Sequence, residues 1–214
     1  MADLKAEAYG PLGDPLCHLP LVVLESGFGA LAEAAQDSGR LALIVRRRTD
    51  GLRETPERVD LSPEEGVQGD GWNRRPPRDP EGQLAVMRRD VAELIANGQS
   101  LSVFGDNLFV ELDISAANLP TRSLLRVGAA LVEVTAKPHN GCHKFKGRFG
   151  RDALSFVQAS KTRDQNLRGI YWKVVERGEV RVGDPIEVLS RPSACLAETS
   201  GSLRPRFDPG SHRR

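Results

Sequence analysis

Short apolar runs with alternating or continuous hydrophobic positions recur along the middle of the chain. LALIVRR at 41 to 47, LFVELDI at 108 to 114, LVEVTA at 131 to 136, YWKVVERG at 171 to 178 and PIEVLS at 185 to 190 are rich in β-branched and aliphatic residues and are bounded by Gly, Pro or Asp, the pattern of strands. Several such strands between turn signals predict a barrel or a sandwich. Helical spacing is rarer. It occurs in AEAAQDSG at 32 to 39, in RRDVAELIANG at 88 to 98, where Gly98 offers a stop, and in DALSFVQAS at 152 to 160, where Asp152 can cap. The fold class expected is mainly β with a few short helices flanking or plugging the sheet. An echo between LLRVGAALVEV at 124 to 134 and EVRVGDPIEVL at 179 to 189 is out of register by one residue, which favours two similar hairpin entries over a duplication.

The two ends read differently. Residues 191–214 have few apolar residues and many Pro, Ser, Gly and Arg, and residues 1–20 are broken by Pro and Gly, so both ends are expected to be poorly ordered tails around one domain at 21–190. A chain of 214 residues can bury a self-supporting core in that one domain. The longest apolar runs, LPLVVL and LALIV, fall far short of the roughly 20 residues that span a bilayer, and MADLKAEAYG lacks the apolar core of a secretory signal. Three widely spaced cysteines, Cys17, Cys142 and Cys195, make no disulfide framework. A cytoplasmic location with free thiols is the expectation, with no membrane partner.

Charge sharpens the picture. The formal net charge is only +1, yet between Lys137 and Lys173 nine Lys or Arg face two acids. A concentrated positive region on an otherwise acidic chain points to an anionic partner, although a solvated basic face is the plainer alternative. Within it, KPHNGCHKF at 137 to 145 sets one thiol among two histidines and two lysines, directly after a strand. Cys142 is compatible with a buried structural thiol, a metal ligand, a nucleophile or a sulfur carrier, and Lys137, His143 and Lys144 would favour its anion. His139, Cys142 and His143 also offer three donors to zinc, but a closed zinc site needs four, and the other adjacent Cys/His pair, Cys17 with His18, lies in an expected tail.

Four segments stand in a telling order: GVQGDGW at 66 to 72, FGDNLFVELDI at 104 to 114, LLRVGAALVEVTAKPHNGCHKF at 124 to 145, and RGIYWKVVERGEVRVGDPIEV at 168 to 188. Together they resemble the MOSC family, named for the C-terminal domain of molybdenum cofactor sulfurases and also found as small stand-alone proteins. The resemblance covers roughly residues 40–190 and implies a β-barrel-like fold that handles the molybdenum cofactor (molybdopterin) or its sulfur. It implies that Cys142 is the catalytic residue, either as molybdenum ligand or as the thiol that takes part in delivering sulfur to the metal. The family wording has Pro immediately before the cysteine, whereas here Gly141 holds that position and Pro138 lies upstream.

An anionic pterin carries a phosphate, for which Arg is the better fork and Lys a point charge. Lys144, Lys146, Arg148, Arg151 and Arg168 form the pool, and Lys137, His139, His143, Lys144, Arg148 and Arg168 are the cofactor-binding candidates among the basic residues. Asp70 and Asn107 follow glycines at turns, where they either satisfy local backbone or line the pocket. Tyr171 is either core or a pocket hydroxyl. The resemblance implies a molybdenum cofactor-binding protein that reduces N-hydroxylated or similar substrates with electrons from a separate donor protein, since no flavin, haem or iron–sulfur signature occurs. The alternative within the family is a persulfide carrier fed by a cysteine desulfurase; pyridoxal phosphate, associated with the family at large, finds no recognisable Schiff-base domain here. A third reading, from another class, is a nucleic-acid-binding barrel using Phe145, Phe149, Phe156, Tyr171 and Trp172 for stacking; it is disfavoured because Phe156 and Tyr171 fall on a predicted helix and strand.

Overall fold

The computed structural model of the chain describes residues 10–74 and 78–192. Twelve strands occur among them: β1 (Ser38–Ile44), β2 (Arg46–Arg47), β3 (Arg53–Glu54), β4 (Arg58–Ser62), β5 (Gly66–Val67), β6 (Leu84–Arg88), β7 (Leu108–Glu111), β8 (Leu124–Val127), β9 (Ala130–Val134), β10 (Ile170–Glu176), β11 (Gly178–Arg181) and β12 (Pro185–Ser190). Three helices accompany them: α1 (Leu21–Gly29), α2 (Arg89–Ala96) and α3 (His143–Gln158). Seven strands close a barrel in the order β1-β12-β8-β9-β10-β6-β7, while β11-β4-β5 and the β2-β3 ribbon stand beside it. The barrel is antiparallel except for β6 against β7. The expectation of a mainly β, barrel-like fold with few helices is met.

Burial explains which runs the pattern made visible. Strands such as β4 and β10 alternate buried and open positions, as a sheet covered on one face must. β6 and β7 are buried on both faces: Val86, Leu108 and Val110 point into the barrel core with Trp172 and Ile186, while Met87 and Phe109 join the layer beneath the helices. That second layer gathers Leu24 of α1, Val91 and Ile95 of α2, and Phe145, Phe149 and Phe156 of α3 around Phe104.

The helices depart from expectation in instructive ways. Residues 32–37 are irregular and Ser38 already belongs to β1; the helix forms instead at Leu21–Gly29, where Leu24 is buried. AEAAQDSG has helix formers but no stripe of large apolar side chains to bury, and packing decides. α2 ends on Asn97 in the left-handed conformation (φ 46°), one residue before the expected Gly98. The helix expected at 152 to 160 is the second half of α3, which begins nine residues earlier and is broken at Gly150 (φ 90°, ψ 171°). The two RVG segments also differ: β8 and β9 pair as a hairpin, whereas the chain after β11 leaves one sheet to enter another as β12.

Of the expected N-terminal tail, residues 1–9 lie outside the described residues; residues 10–20 lie against α3, held by hydrogen bonds between the His18 ring and Arg148 O and from the Arg148 side chain to Pro11 O, long-range partners that the local Pro and Gly content did not register. Of the expected C-terminal tail, Arg191 donates to Asn118 O and pairs with Asp37, and residues 193–214, with Cys195, lie outside the described residues. Among the described residues, no helix is long and apolar enough to cross a membrane.

Candidate functional site

All four sequence segments meet at a cleft of about 480 Å³ between the barrel wall, the β2-β3 ribbon and the start of α3. Gly71 and Trp72 come from the first segment, Phe104 and Gly105 from the second, His139 and Cys142 from the third, and Arg168 and Tyr171 from the fourth. Cys142 is the residue that caps α3: its backbone is extended (φ −121°, ψ 177°), its side chain makes no capping bond, and the residue is exposed. Gly141 before it fits a close approach, since a Cβ there would stand 2.5 Å from Leu154 Cδ1 of the same helix, and its carbonyl accepts from Gln158 Nε2 at 3.0 Å. A side chain at 141 would require the Leu154 side chain to shift.

The walls are strongly cationic. Arg47, Arg53, Arg148, Arg168 and Lys144 line one cavity. Two of these arginines are held by buried carboxylates. Arg168 Nη1 donates to both Asp106 oxygens at 2.9 Å, and Asp106 is fully buried. Burial would raise the Asp106 carboxyl, but the surrounding positive groups, Arg168 foremost, together hold it below the ordinary carboxylate value. Arg47 donates Nε and Nη2 to Asp70, with Nη2 at 2.6 Å from Oδ2, and its Nη1 reaches Gly105 O at 3.2 Å. Burial opposes the Arg47 charge; the Asp70 carboxylate more than offsets it and leaves the guanidinium pKa above its ordinary value.

Arg53 and Arg148 are arranged otherwise. Arg148, buried, donates Nη1 to Phe104 O at 3.0 Å and Nε to Pro11 O at 3.1 Å. Arg53 Nη1 reaches only the carbonyls of Gly51 and Leu52, its Nε is buried without a partner, and no carboxylate of the described residues pairs with it. Burial, then Arg148 and Arg47, lower its pKa to about 10. A buried guanidinium such as that of Arg53, beside other cations and with no carboxylate of its own among the described residues, leaves a place for an anion.

His139 forms the inner wall. Its ring packs on Tyr171 at 4.3 Å between centroids, and its buried Nδ1 has no hydrogen-bond partner, 3.6 Å from Asp106 Oδ1. Burial first, then Arg168, depress its pKa to about 3, so it is neutral at physiological pH. The unfolded chain takes up that proton near pH 6.5 and the folded chain does not until about pH 3, so acidification favours unfolding across this window. Between pH 7 and pH 5 the ligand-free protein should lose about 2 kcal/mol of stability through His139 alone. His139→Gln should flatten that slope in urea titrations at pH 7, 6 and 5; an unchanged slope would show that the imidazole is hydrated and titrates normally. Burial also raises the Tyr171 pKa, keeping its hydroxyl protonated.

Of the residues singled out in the sequence, His139, Cys142, Lys144, Arg148, Arg168 and Tyr171 line the cleft together. Asp70 and Asn107 lie beneath it: Asn107 Nδ2 donates to Val45 O and to Asp70 Oδ1, and its Oδ1 accepts from Ala85 N, so the pair carries Arg47 instead of facing the cavity. Lys137 turns away to pair with Asp79 at 2.6 Å, and His143 is exposed at the start of α3 outside the cleft. Lys146 and Arg151 are exposed and do not line it. Arg47, Arg53, Trp72 and Asp106 were not picked out; the Arg46-Arg47-Arg48 run ending a strand and the acid beside Asn107 were their signals. Among the described residues no group of three or more His, Cys, Asp or Glu is placed to hold a metal ion, which removes the three-donor zinc arrangement.

A family model described as MOSC domain matches residues 80–187. No curated protein matches the chain in sequence. Among solved structures, one described as a hypothetical protein is similar over 74% of this chain and 71% of its own, with a TM-score of 0.55 at 19% identity. The YUAD protein from Bacillus subtilis is similar over 71% of this chain and 95% of its own, with a TM-score of 0.52 at 18% identity. At these identities the likeness is one of fold.

Proposed function

Because the chain belongs to the MOSC domain family, we propose that its cleft binds a molybdenum cofactor with Cys142 as the protein ligand to the metal. The observation that carries this reading is that a thiol and five arginines line one cavity. The residues fit such a group. A thiolate suits a thiophilic metal; the uncompensated guanidinium of Arg53, beside Arg148, suits a phosphate; and the unpartnered Arg168 Nε and His139 Nδ1 leave polar atoms for a pterin. When bound, the cofactor supplies a two-electron redox centre. The chain's own part is to hold the phosphate, orient the ring system against Tyr171 and His139, and keep these two groups in their neutral forms. Electrons would come from a separate donor protein, with N-hydroxylated compounds as the substrate class.

Protein made in a molybdenum-replete host should carry molybdenum close to one per chain, and Cys142→Ser should lose nearly all of it by elemental analysis. Absence of molybdenum from both would overturn the reading.

The exposure of Cys142 favours one second reading, a persulfide carrier, since a sulfur donor must reach the thiol. Incubation with a cysteine desulfurase and cysteine should then add one sulfur at Cys142 by intact mass, and an unchanged mass would argue against it. The nucleic-acid reading finds less support: Phe145, Phe149, Phe156 and Trp172 are all buried and cannot stack on bases.

A further inference from the structure

The segment from Gly10 to His18 lies outside the residues that the family model matches, yet it forms part of the cleft. Gly10 lines the cavity, where a Cβ would stand 2.7 Å from Arg53 Nη2 and 3.2 Å from Arg148 Nη2. Pro11 O accepts from Arg148 Nε. Gly13 lies on the backbone of Arg148 so closely that no side chain fits. The His18 ring closes the arrangement from the far side: its Nε2 bonds Arg148 O at 3.1 Å, and the ring lies over Gly150, the break in α3. Asp14 N donates to Gln99 Oε1, and Cys17 O accepts from Asn97 Nδ2. One arginine of the cavity is therefore grasped by this strap at its guanidinium and at its carbonyl.

The grip is polar and local. No residue from Gly10 to His18 is buried, and Leu12 and Leu16 are 76% and 92% exposed. A segment that buries so little apolar surface opens at low free-energy cost compared with the barrel. Opening removes the Pro11 carbonyl from Arg148 and the Gly10 backbone from between Arg148 and Arg53, and so loosens the pair best placed to hold an anion.

We propose that residues 10–18 are a gate on the cationic cleft, coupled through Arg148 to occupancy by a phosphate-bearing ligand: the anion favours the closed strap, and the closed strap favours the anion. The proposal rests on the reading of the cleft as an anion site. Coupling of this kind is reciprocal, so the factor by which the ligand protects the strap equals the factor by which an open strap weakens the ligand.

The test uses the full chain with inorganic pyrophosphate as the probe. Hydrogen exchange at residues 11–18 should slow about tenfold at saturation, and Gly13→Val, which cannot seat on Arg148, should weaken pyrophosphate binding about tenfold by calorimetry. His18→Ala removes one contact outside the cavity and should move both readouts in the same direction, which keeps the proposal testable if Gly13→Val does not fold. Unchanged exchange on binding, wild-type affinity in the folded variants, or no pyrophosphate binding by the wild type would each overturn the gate. Pyrophosphate needs no molybdenum, so a gated chain that never carries the metal overturns the cofactor reading alone, and a molybdenum-loaded chain whose strap ignores pyrophosphate overturns the gate alone.

Discussion

Asp106→Ala should destabilise the protein by about 3–5 kcal/mol, the cost of leaving a buried charge without its partner. Asp106 has no exposed surface, and Arg168, itself buried, spends Nη1 on both of its oxygens. Truncation strands the guanidinium next to Phe145 and the neutral His139 without its carboxylate. Since a domain's whole stability is about 5–15 kcal/mol, a loss of this size is a large shift in the urea midpoint at unchanged slope. The partner experiment separates fold from site. Asp106→Leu combined with Arg168→Met removes both charges in similar volumes and should recover most of the loss. It should not recover pyrophosphate affinity, because the recovered packing contains no cation at that wall. A single-variant cost within about 0.5 kcal/mol, the range of ordinary surface substitutions, would mean that the pair does not hold this part of the fold.

Asp106 also shows what the sequence made legible and what it hid. Gly-Asp-Asn at 105 to 107 marks a turn in which either Asx residue can satisfy the local backbone, and Asn107 is the one singled out in the sequence. The turn side chain that matters electrostatically is its neighbour, and only the placement of Arg168 across the barrel, 62 residues away, makes it so. Strands were legible where one face is open and the period of two survives, as in β12, found with its observed limits. β6 was not, because LAVMR is buried on both faces and its apolar run has no period to read. The thiol, His139, Arg168 and Tyr171 were legible through ordered motifs. Arg53 was not, since it lies in a two-residue strand whose only claim to the site is that the ribbon folds over the cleft.

The same division between visible motif and hidden support gives the second large effect. Asp70 lies in the first of the four motifs but does not face the cavity; its two oxygens accept from the backbone N–H groups of Arg47 and Trp72, from Arg47 Nε and Nη2, and from Asn107 Nδ2. Burial would raise its pKa, and Arg47 more than offsets that, so it is a carboxylate whose charge is used in full. Asp70→Ala takes the carboxylate from Arg47 and the acceptor from two backbone N–H groups, while Asn107 Nδ2 keeps Val45 O, and should cost about 3–5 kcal/mol, with each bond to the charged acceptor near the upper end of the single-bond range. Arg47 then loses the tether that holds it between Gly105 and the ribbon, so pyrophosphate affinity should fall about tenfold as well. Arg47→Met in the wild-type background removes the same cation but leaves Asp70 its backbone donors, and should weaken pyrophosphate similarly at a smaller stability cost. Equal stability losses in the two variants would place the energy in the Arg47 ion pair. A larger loss for Asp70→Ala places it in the backbone of residues 47 and 72, which makes Asp70 the clasp between the ribbon and the loop that carries Trp72.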